Sequence, residues 1–384
     1  MASEKKSILV EGWRGINHSY AMVNQYQLLE LSKYPVDLAH NDLPFAKSSW
    51  NLNQNGSGFN QADTLRLAQI PSAVIEGGKF DVNYRISYPF RMYPSKSERL
   101  YVFGTSEFQN LNEMIYEDGL NDALKNRSLS IVTPSQWSKV GFLKAGFREE
   151  SIFVVPHGID PSAFKPLTSE RRRQFRSSLK INDDQFLILS VGSMTWNKGI
   201  DVLLKAFFIL AKQHHHVRLV LKDQSKLYGI FANKILASLQ AEMGVAFPEG
   251  LKDRITFISE NLTISQLNGL YGAADCYVSP YRAEGFNLTP LEAAASGTPI
   301  VLTAGGATDD YVDQSFATTI EGQIQENDLG TYIEPNLDDL IDKLNFLILG
   351  GNPPIDAVRV SLFIEKHYSW RAAVQKLTDT LFDN

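Results

Sequence analysis

The 384-residue chain has a single cysteine, Cys276, and no uninterrupted run of 18 apolar residues. One cysteine excludes an intrachain disulfide, and its apolar neighbours predict a buried, structural thiol. Without a long apolar run, no transmembrane helix is expected. The first residues lead directly into Ile8-Leu9-Val10 without the apolar core of a signal peptide, so we expect a reducing, cytoplasmic location.

Basic residues are not in excess either, since 37 Lys and Arg stand against 43 Asp and Glu, a formal net charge of −6. Nucleic-acid-binding proteins usually carry a basic excess, so no nucleic-acid partner is expected. The segment Glu170-Arg171-Arg172-Arg173 could meet an anionic membrane surface. We interpret it instead as the solvent-exposed face of a linker helix, which leaves membrane contact open but not indicated.

Several short ligand-binding patterns are also missing. No Gly-x-Gly-x-x-Gly follows a predicted strand, which disfavours a NAD-dependent oxidoreductase. Asp-x-Asp, a carboxylate pair that can hold Mn²⁺ or Mg²⁺, occurs nowhere in the chain. The triplet His214-His215-His216 is interpreted as a helix end, because consecutive residues do not share a helix face. We therefore expect no bound metal and no other cofactor.

Strand-like and helix-like segments alternate along the chain, which predicts parallel sheets covered by helices on both faces. The length suggests two domains, and residues 156–184, with their prolines and charges, are the candidate boundary. Two such α/β, Rossmann-like domains would face a central cleft, and ligands would bind beyond the carboxyl ends of the strands. Predicted strands lie at 8–11, 36–39, 100–103, 130–133, 152–155, 186–191, 217–221, 255–258, 276–279 and 299–302. Predicted helices include 20–31, 107–124, 200–212, 231–243, 265–272 and 290–296.

The first informative motif follows the predicted strand 186–191. Gly192 opens a loop, and Lys198 precedes the next helix. A cation combined with backbone N–H groups at a helix N-terminus is the arrangement of an anion site. The spacing is not that of a Walker loop. The alternative is that Lys198 is an ordinary surface lysine after a turn.

The second motif holds two glutamates, Glu284 and Glu292, across a strand–loop–helix junction. Glu284 lies just past the strand, and Gly285 beside it allows a ligand to approach the backbone closely. Thr289-Pro290-Leu291-Glu292 fits a capping box with threonine at the N-cap. From the residues alone we favour the capping role for Glu292, although the same carboxylate could also face a ligand hydroxyl.

Together the two motifs resemble those of the retaining nucleotide-sugar glycosyltransferases of family four, which have the GT-B fold. Glu284 and Glu292 fit the family's Glu-(seven residues)-Glu signature, and Val191 to Gly199 fits its Val-Gly-x5-Lys-Gly motif. The resemblance covers residues 130–384 well and is thin over residues 1–130. Three further segments fit the family, namely Pro134-Ser135-Gln136-Trp137-Ser138, Pro156-His157-Gly158-Ile159-Asp160 and Tyr368-Ser369-Trp370.

The resemblance implies a domain order. Residues 1–165 would form the N-terminal, acceptor-side domain, and residues 166–360 the C-terminal, nucleotide-sugar-binding domain. Residues 361–384 would contain a helix that crosses back to the N-terminal domain. A loop rich in glycine after the first strand, Gly12 to His18, would lie near the donor diphosphate and the acceptor.

The resemblance also implies residue roles. Lys198 would contact the donor diphosphate, Glu284 would hold the donor sugar, and Glu292 would bind the ribose. The predicted donor-binding set is Gly15, Ser193, Gly285, Phe286, Asn287, Leu288, Thr289 and Glu292. The predicted acceptor-side set is Arg14, Asn17, His18, Arg85 and His157.

Two departures from the family affect these roles. Ser193 stands where the family usually has an arginine, so one phosphate-directed charge is missing. Lys222 follows a strand and is our candidate substitute, which gives Lys198, Glu284 and Lys222 as the catalytic set; the alternative is a solvated lysine. The family's N-domain histidine is also missing after Asp81-Val82, and Arg85, His18 or His157 could replace it.

The expected activity is therefore that of a retaining, metal-independent hexosyltransferase. GDP-mannose is the first choice of donor and UDP-glucose the second, and the acceptor would be a glycan or other glycoconjugate hydroxyl. A GT-B enzyme of another reaction, such as an epimerase or a phosphorylase, and a non-enzymatic nucleotide-sugar binder remain alternatives.

Overall fold

The computed structural model describes residues 5–50, 52, 58–73, 80–93, 95, 97–111, 114–115, 119–243, 250–313, 315–351 and 355–383, with only the backbone for 240–243. The chain forms two compact units. The first unit is Met1–Gly158 with His367–Asn384, and the second unit is Ile159–Lys366. The chain thus passes between the units at 158–159 and 366–367. The boundaries expected from the sequence were 165–166 and 360–361.

The first unit is built on a six-stranded parallel sheet with the order β2-β1-β3-β4-β5-β6. Its inner strands are largely buried on both faces, as expected for parallel strands covered by helices. The strands are β1 (Ser7–Gly12), β2 (Asp37–Asp42), β3 (Phe80–Ile86), β4 (Ser97–Phe103), β5 (Leu129–Thr133) and β6 (Ile152–Val154). The helices are α1 (Ser19–Leu31), α2 (Gln61–Gln69), α3 (Gly119–Lys125), α4 (Gln136–Lys144) and α13 (Trp370–Phe382).

The C-terminal helix α13 belongs to the first unit. Its first residue, Trp370, stacks on Tyr26 of α1 with ring centroids 4.8 Å apart and planes 10° from parallel. Near its other end, the hydroxyl of Tyr101 donates a hydrogen bond of 3.1 Å to the carbonyl of Thr380. These contacts attach both ends of α13 to the sheet and helices of the first unit.

The second unit has its own six-stranded parallel sheet, with the order β12-β11-β10-β7-β8-β9. Its strands are β7 (Phe186–Val191), β8 (Val217–Lys222), β9 (Ile255–Ile258), β10 (Cys276–Ser279), β11 (Ile300–Thr303) and β12 (Ala317–Ile320), and a separate hairpin pairs β13 (Gly322–Asn327) with β14 (Gly330–Pro335). The helices are α5 (Ser169–Ser178), α6 (Ile200–Gln213), α7 (Ser225–Tyr228), α8 (Ala232–Met243), α9 (Ile264–Ala273), α10 (Leu288–Ala295), α11 (Leu337–Ile348) and α12 (Ala357–Phe363).

Each sheet reverses its strand order at one point. In the first unit β1 lies between β2 and β3, and in the second β7 lies between β8 and β10. The loops after the two strands that meet at the reversal, β1 and β3 in one sheet and β7 and β10 in the other, leave in opposite directions and open a crevice at the carboxyl edge of each sheet. In the second unit these are the loops after β7 and β10, which carry the two sequence motifs, and in the first unit the loop after β1 carries the segment from Gly12 to His18.

Helix α6 fixes the position of the loop after β7. Leu203, Phe207 and Leu210 form an apolar stripe with helical spacing and are fully buried against the second sheet. Because burying a large apolar side chain contributes roughly 1.5–3 kcal/mol, this stripe holds the start of α6, and with it the loop from β7, in one place.

Two sequence-based assignments in the first unit need correction. The predicted helix over 107–124 is wrong over 107–111, which form a turn and a loop; residues 112–113 and 116–118 lie outside the described residues, and helix begins at Gly119. Gln109 has a non-helical φ of 52°, and Trp137 donates to the carbonyl of Glu107 at 2.7 Å. Strand β3 was missed because Asn83 and Arg85 make it look polar, although both are buried.

The arginine cluster of α5 does not simply face solvent. Arg172 donates to the carbonyls of Gly272 and Ala274, at 2.7 and 2.9 Å, and to the carboxylate of Asp275, at 2.5 Å. Arg171 is exposed, as predicted. The cluster is therefore partly a structural clamp that fastens α5 to the loop between α9 and β10, because donating to backbone carbonyls satisfies groups at the end of α9.

The single cysteine, the lack of long apolar runs and the lack of metal-binding motifs can each be compared with the structure. Cys276 lies in β10 and is fully buried, which confirms the predicted structural thiol, and burial raises its pKa. Across the part of the chain that the structure describes, no helix combines the length and apolar character needed to span a bilayer. Within the same residues, no group of three or more His, Cys, Asp or Glu side chains could hold a metal ion.

Candidate functional site

The loop after β7 approaches the loop after β10 very closely. The loop after β7 ends in a short 3₁₀ turn, Trp196–Lys198, followed by Gly199 in a left-handed conformation with φ of 67°. A Cβ atom at Gly199 would lie 1.8 Å from the carbonyl oxygen of Pro280, so only glycine fits. This glycine therefore allows Lys198 to reach the other loop.

Lys198 and Glu284 form an ion pair, with the ammonium group of the lysine donating to Oε1 of the glutamate. The side chain of Glu284 is 5% exposed, whereas that of Lys198 is 23% exposed and reaches solvent. A buried carboxylate needs a cation beside it, because removing an unpaired charge from water is costly. The ion pair thus joins the two sequence motifs, whose charged residues are 86 positions apart.

Asn197 holds the two loops in register beside this ion pair. Its side-chain amide donates to the carbonyl of Ala283 at 3.0 Å, and its own carbonyl accepts from the N–H of Arg282 at 2.7 Å. Asn197 directly precedes Lys198, and Ala283 directly precedes Glu284. Sequence reasoning missed this residue, since nothing in the spacing of the motifs marks an asparagine as a link between them.

Arg282 forms a buried hydrogen-bond network behind the ion pair. Its guanidinium donates to both carboxylate oxygens of Asp201, at 2.7 and 2.8 Å, and to both of Glu334, at 2.6 and 2.8 Å. It also lies 4.6 Å from the ring of Trp196, within reach of a cation–π interaction. Arg282 thereby connects the loop after β10 with α6, with the hairpin strand β14 and with the turn that carries Lys198.

The start of helix α10 differs from the predicted capping box. The helix begins at Leu288, so Asn287 is the N-cap residue, and Thr289 lies inside the first turn. Thr289 Oγ1 accepts from the hydroxyl of Tyr277 at 2.7 Å and donates to Oδ1 of Asn287 at 3.3 Å. The capping role predicted for Glu292 is therefore wrong, because a box needs a threonine at the N-cap, where its hydroxyl accepts from a backbone N–H.

Glu292 instead pairs with a tyrosine. The hydroxyl of Tyr271 donates to Oε2 of Glu292 at 2.7 Å, and the tyrosine is fully buried. Burial raises the pKa of the Glu292 carboxyl to about 7, although the hydrogen bond from Tyr271 works in the opposite direction. This carboxyl therefore changes charge near neutral pH.

Lys222 is the last residue of β8 and the register partner of Val191 on β7. It is 4% exposed, so the alternative of a solvated lysine is wrong. Its ammonium group donates to the carbonyl of Asp223, and burial lowers its pKa. Lys222 thus lies at the carboxyl edge of the sheet, one strand away from the loop of Lys198.

The other predicted donor-side residues line the same edge. Ser193 shares a 3.0 Å hydrogen bond with Thr195, and no charge replaces the family's arginine at that position. The ring of Phe286 packs on Tyr311 with centroids 5.2 Å apart, Gly285 is buried between Glu284 and Phe286, and Leu288 is half-buried. These residues belong to the second unit, whereas Gly15, also predicted to touch the donor, belongs to the first.

The loop after β1 carries four predicted residues. Gly15 has φ of 81°, and its N–H donates to Gln25 at 3.0 Å. Arg14 makes two hydrogen bonds to Asp42, at 3.0 and 2.6 Å. His18 caps α1 by accepting from the N–H of Tyr20, and burial lowers its pKa to about 4. Asn17 is half-buried.

The two remaining candidates are enclosed in the first unit. Arg85 on β3 forms a buried ion pair of 2.6 Å with its register partner Glu11 on β1. His157 is buried between the rings of Phe103 and Trp370, and desolvation lowers its pKa to about 3. Neither histidine pKa lies in the range where a side chain exchanges protons at neutral pH.

Residues 171–352, which contain the Lys198–Glu284 pair and Glu292, match the family described as "Glycosyl transferases group 1". The match lies within the second unit. The matched segment is just under half of the chain, and it ends before α12.

Known glycosyltransferases resemble about half of the chain. The mannosylfructose-phosphate synthase of Agrobacterium fabrum is 29% identical over 191 residues, which cover 50% of this chain and 41% of that protein. The lipopolysaccharide core biosynthesis mannosyltransferase LpcC of Rhizobium leguminosarum is 32% identical over 162 residues, 42% of each. The chain thus spans about four-tenths of the length of these relatives.

Solved structures extend the likeness to both units. A glycosyltransferase from Rickettsia africae superposes with a TM-score of 0.71 at 15% identity, over 99% of each chain. Anabaena Alr3699/HepE, solved with UDP-glucose, superposes with a TM-score of 0.66 at 17% identity, over 98% of this chain and 100% of that one. These likenesses confirm the predicted two-domain α/β fold of the GT-B class.

Proposed function

We propose that the chain is a retaining, metal-independent hexosyltransferase that uses a nucleotide-diphosphate sugar. The observation that carries the proposal is the Lys198–Glu284 pair at the strand-order reversal of the second sheet. Helix α10 begins four residues after Glu284 and holds Glu292 in its second turn. Cation, carboxylates and helix N-terminus are the groups that a diphosphate, a hexose and a ribose require.

Lys198 supplies the charge for the departing diphosphate. Its ammonium group reaches solvent while it neutralises Glu284, so a bound diphosphate can share that cation. The positive end of the α10 dipole adds to the same field. Lys222 is the second cation at this edge, and we propose that it compensates for the arginine that Ser193 replaces. No step in this scheme requires a metal ion.

The proposed reaction takes place on one face of the sugar. The bond between the anomeric carbon and the β-phosphate oxygen breaks, and the acceptor oxygen forms the new bond to that carbon. The acceptor proton passes to the departing phosphate oxygen, and the nucleoside diphosphate leaves. Glu284 orients the sugar hydroxyls and does not attack, so a covalent glycosyl adduct on Glu284, detected by mass spectrometry, would overturn this mechanism.

GDP-mannose is the proposed donor. Two relatives support it, because the Agrobacterium protein is a mannosylfructose-phosphate synthase and the Rhizobium protein a mannosyltransferase. UDP-glucose is the second candidate, supported by the Anabaena structure that was solved with it. The acceptor is proposed to be a hydroxyl of a glycan or glycoconjugate.

Isothermal titration calorimetry tests the donor. GDP-mannose, UDP-glucose, GDP and UDP are titrated into the full chain in EDTA, and micromolar binding of GDP-mannose is expected, equivalent to roughly −8 kcal/mol. Lys198→Ala is the matched variant, and it should weaken binding of the nucleoside diphosphates as strongly as binding of the nucleotide sugars. If only UDP-glucose binds, UDP-glucose replaces GDP-mannose as the proposed donor. If none of the four compounds binds, the proposed function is overturned.

The proposed ribose contact of Glu292 predicts a pH-dependent donor affinity. Ribose hydroxyls donate to the ionised carboxylate, and with a pKa of about 7 its ionised fraction rises from roughly a tenth at pH 6 to roughly nine-tenths at pH 8. Donor affinity should therefore increase by up to about tenfold over that interval. Calorimetry at pH 6, 7 and 8 measures it, and Glu292→Gln should remove the dependence.

The free energy of unfolding should fall with rising pH, which is the opposite of the change expected for donor affinity. Because the folded-state pKa is raised above its ordinary value of 4.5, protonation of Glu292 stabilises the folded domain. That contribution is complete below about pH 4.5 and is lost as the pH rises through about 7.

A donor affinity that falls with rising pH, or an unchanged pH profile of donor affinity in Glu292→Gln, would contradict the assigned ribose contact.

A further inference from the structure

Asn287 adopts a backbone conformation that side-chain-bearing residues rarely use. Its φ and ψ are 63° and 74°, in the left-handed region, and it is the N-cap residue of α10. Among the described residues, three residues other than glycine have a positive φ. Of these three, Asn287 is the one that lies in the loop between Glu284 and α10. Such a conformation persists where neighbouring groups hold it, and it concentrates at functional sites.

Two hydrogen bonds hold Asn287 in this conformation. The hydroxyl of Tyr311 donates to the carbonyl oxygen of Asn287 at 2.6 Å. The side-chain amide of Asn287 donates to Oγ of Ser279, at the end of β10, at 3.0 Å. Tyr311 is 1% exposed, so its hydroxyl is removed from water and an unmade bond would be costly.

The side-chain amide of Asn287 is thus directed to Ser279, while its Oδ1 accepts from the hydroxyl of Thr289 and not from a backbone N–H. Asparagine at an N-cap usually accepts from an N–H of the first turn, but Asn287 makes no such side-chain cap. The first-turn N–H groups of α10 are thus not covered by the residue best placed to cap them. They lie at the end of the loop that carries Glu284.

We propose that Tyr311 is a positioning residue for the donor site. Its hydroxyl keeps Asn287 in the left-handed conformation, and that conformation directs the first turn of α10 towards the donor phosphate. Tyr311 itself does not touch the donor. The inference rests on the proposed function, and it adds a residue that lies 24 positions from Asn287 and outside both sequence motifs.

A double-mutant cycle tests the inference. Tyr311→Phe keeps the ring that packs on Phe286 but removes the hydroxyl, and the Kd for the donor is expected to rise about five- to tenfold. Glycine adopts the left-handed conformation without help. In an Asn287→Gly background, Tyr311→Phe should therefore add less than about twofold. The Kd values are measured by calorimetry with GDP-mannose and GDP.

Tyr281→Phe is the matched control. Tyr281 is equally buried, but its hydroxyl pairs with Thr308 at 2.7 Å and not with Asn287. Its effect on the Kd should therefore be the same in the wild-type and Asn287→Gly backgrounds. Additive effects of Tyr311→Phe and Asn287→Gly would overturn the inference, because a tyrosine that acts only on packing would not be coupled to the backbone of Asn287.

Amide hydrogen exchange separates this inference from the proposed function. If the wild-type chain binds no nucleotide, the proposed function fails, but exchange over residues 285–292 still reports on the loop. Tyr311→Phe should accelerate that exchange several-fold, and the increase should be absent when Asn287→Gly is already present. Equal exchange in wild type and Tyr311→Phe would overturn the positioning role in either case.

Discussion

Replacing Lys198 with alanine is expected to lower kcat by about 10²–10³-fold, as removal of one preorganised donor to a developing negative charge does in other enzymes. The reason lies in the geometry: the ammonium group is fixed against Glu284 at the end of the strand where the sheet order reverses. A diphosphate leaving group develops charge as the glycosidic bond breaks. Steady-state kinetics with donor in excess over its KM measures the loss.

The control for this prediction is Lys212→Ala. Lys212 lies at the opposite end of α6 and is exposed, so its removal should change kcat by less than about twofold. Because Lys198 and Glu284 act as a pair, Lys198→Ala combined with Glu284→Gln should be far less damaging than the product of the single effects. A full kcat in Lys198→Ala would contradict the assigned role.

Replacing Arg282 with methionine is expected to lower the free energy of unfolding of the second unit by about 2–4 kcal/mol. The variant leaves Asp201 and Glu334 without the guanidinium that both contact, and breaking a buried pair typically costs about 3–5 kcal/mol. We expect less here because the side chains of Asp201 and Glu334 are 24% and 41% exposed, so that water partly screens them.

Native-state hydrogen exchange on peptides from residues 159–366 measures this loss for the second unit, since two units need not unfold together. Arg282→Lys should be intermediate, because lysine keeps the charge but not the two-pronged hydrogen bonds. Arg171→Met, at an exposed position on α5, should stay within about 0.5 kcal/mol of wild type. If Arg282→Met were as stable as Arg171→Met, the network would be structurally unimportant.

Five of the six strands of the second sheet, β7 to β11, could be predicted because buried parallel strands leave a local pattern, whereas β12 was missed. Each of the strands β7 to β11 is a short apolar run that ends before a loop, and the predicted bounds agree closely with the observed ones. Strand β3 could not be found in this way. Its polar residues Asn83 and Arg85 are acceptable inside the sheet only because Glu11 on the neighbouring strand hydrogen-bonds with both.

The position of Lys198 and Glu284 was predictable only in part. Their place just after strands follows from the local pattern, and their roles at one donor from the resemblance to a family, but the ion pair between them was not predicted. The residues that hold them were not predictable, because Arg282 pairs with Asp201 and Glu334, 81 and 52 positions away. A sequence pattern reports on neighbours within a few turns, whereas these partners meet only after the sheet and the hairpin have formed.

The amino-acid sequence by itself determined the alternating strands and helices, the two loops that carry the motifs, and the glycine that allows the loops to meet. The tertiary structure alone decided which groups are charged and which are capped. Thr289 fits a capping box in sequence, but the fold starts α10 at Leu288 and gives Glu292 to Tyr271. Burial, which is a property of the whole domain, then brings the pKa of Glu292 to about 7 and encloses Lys222.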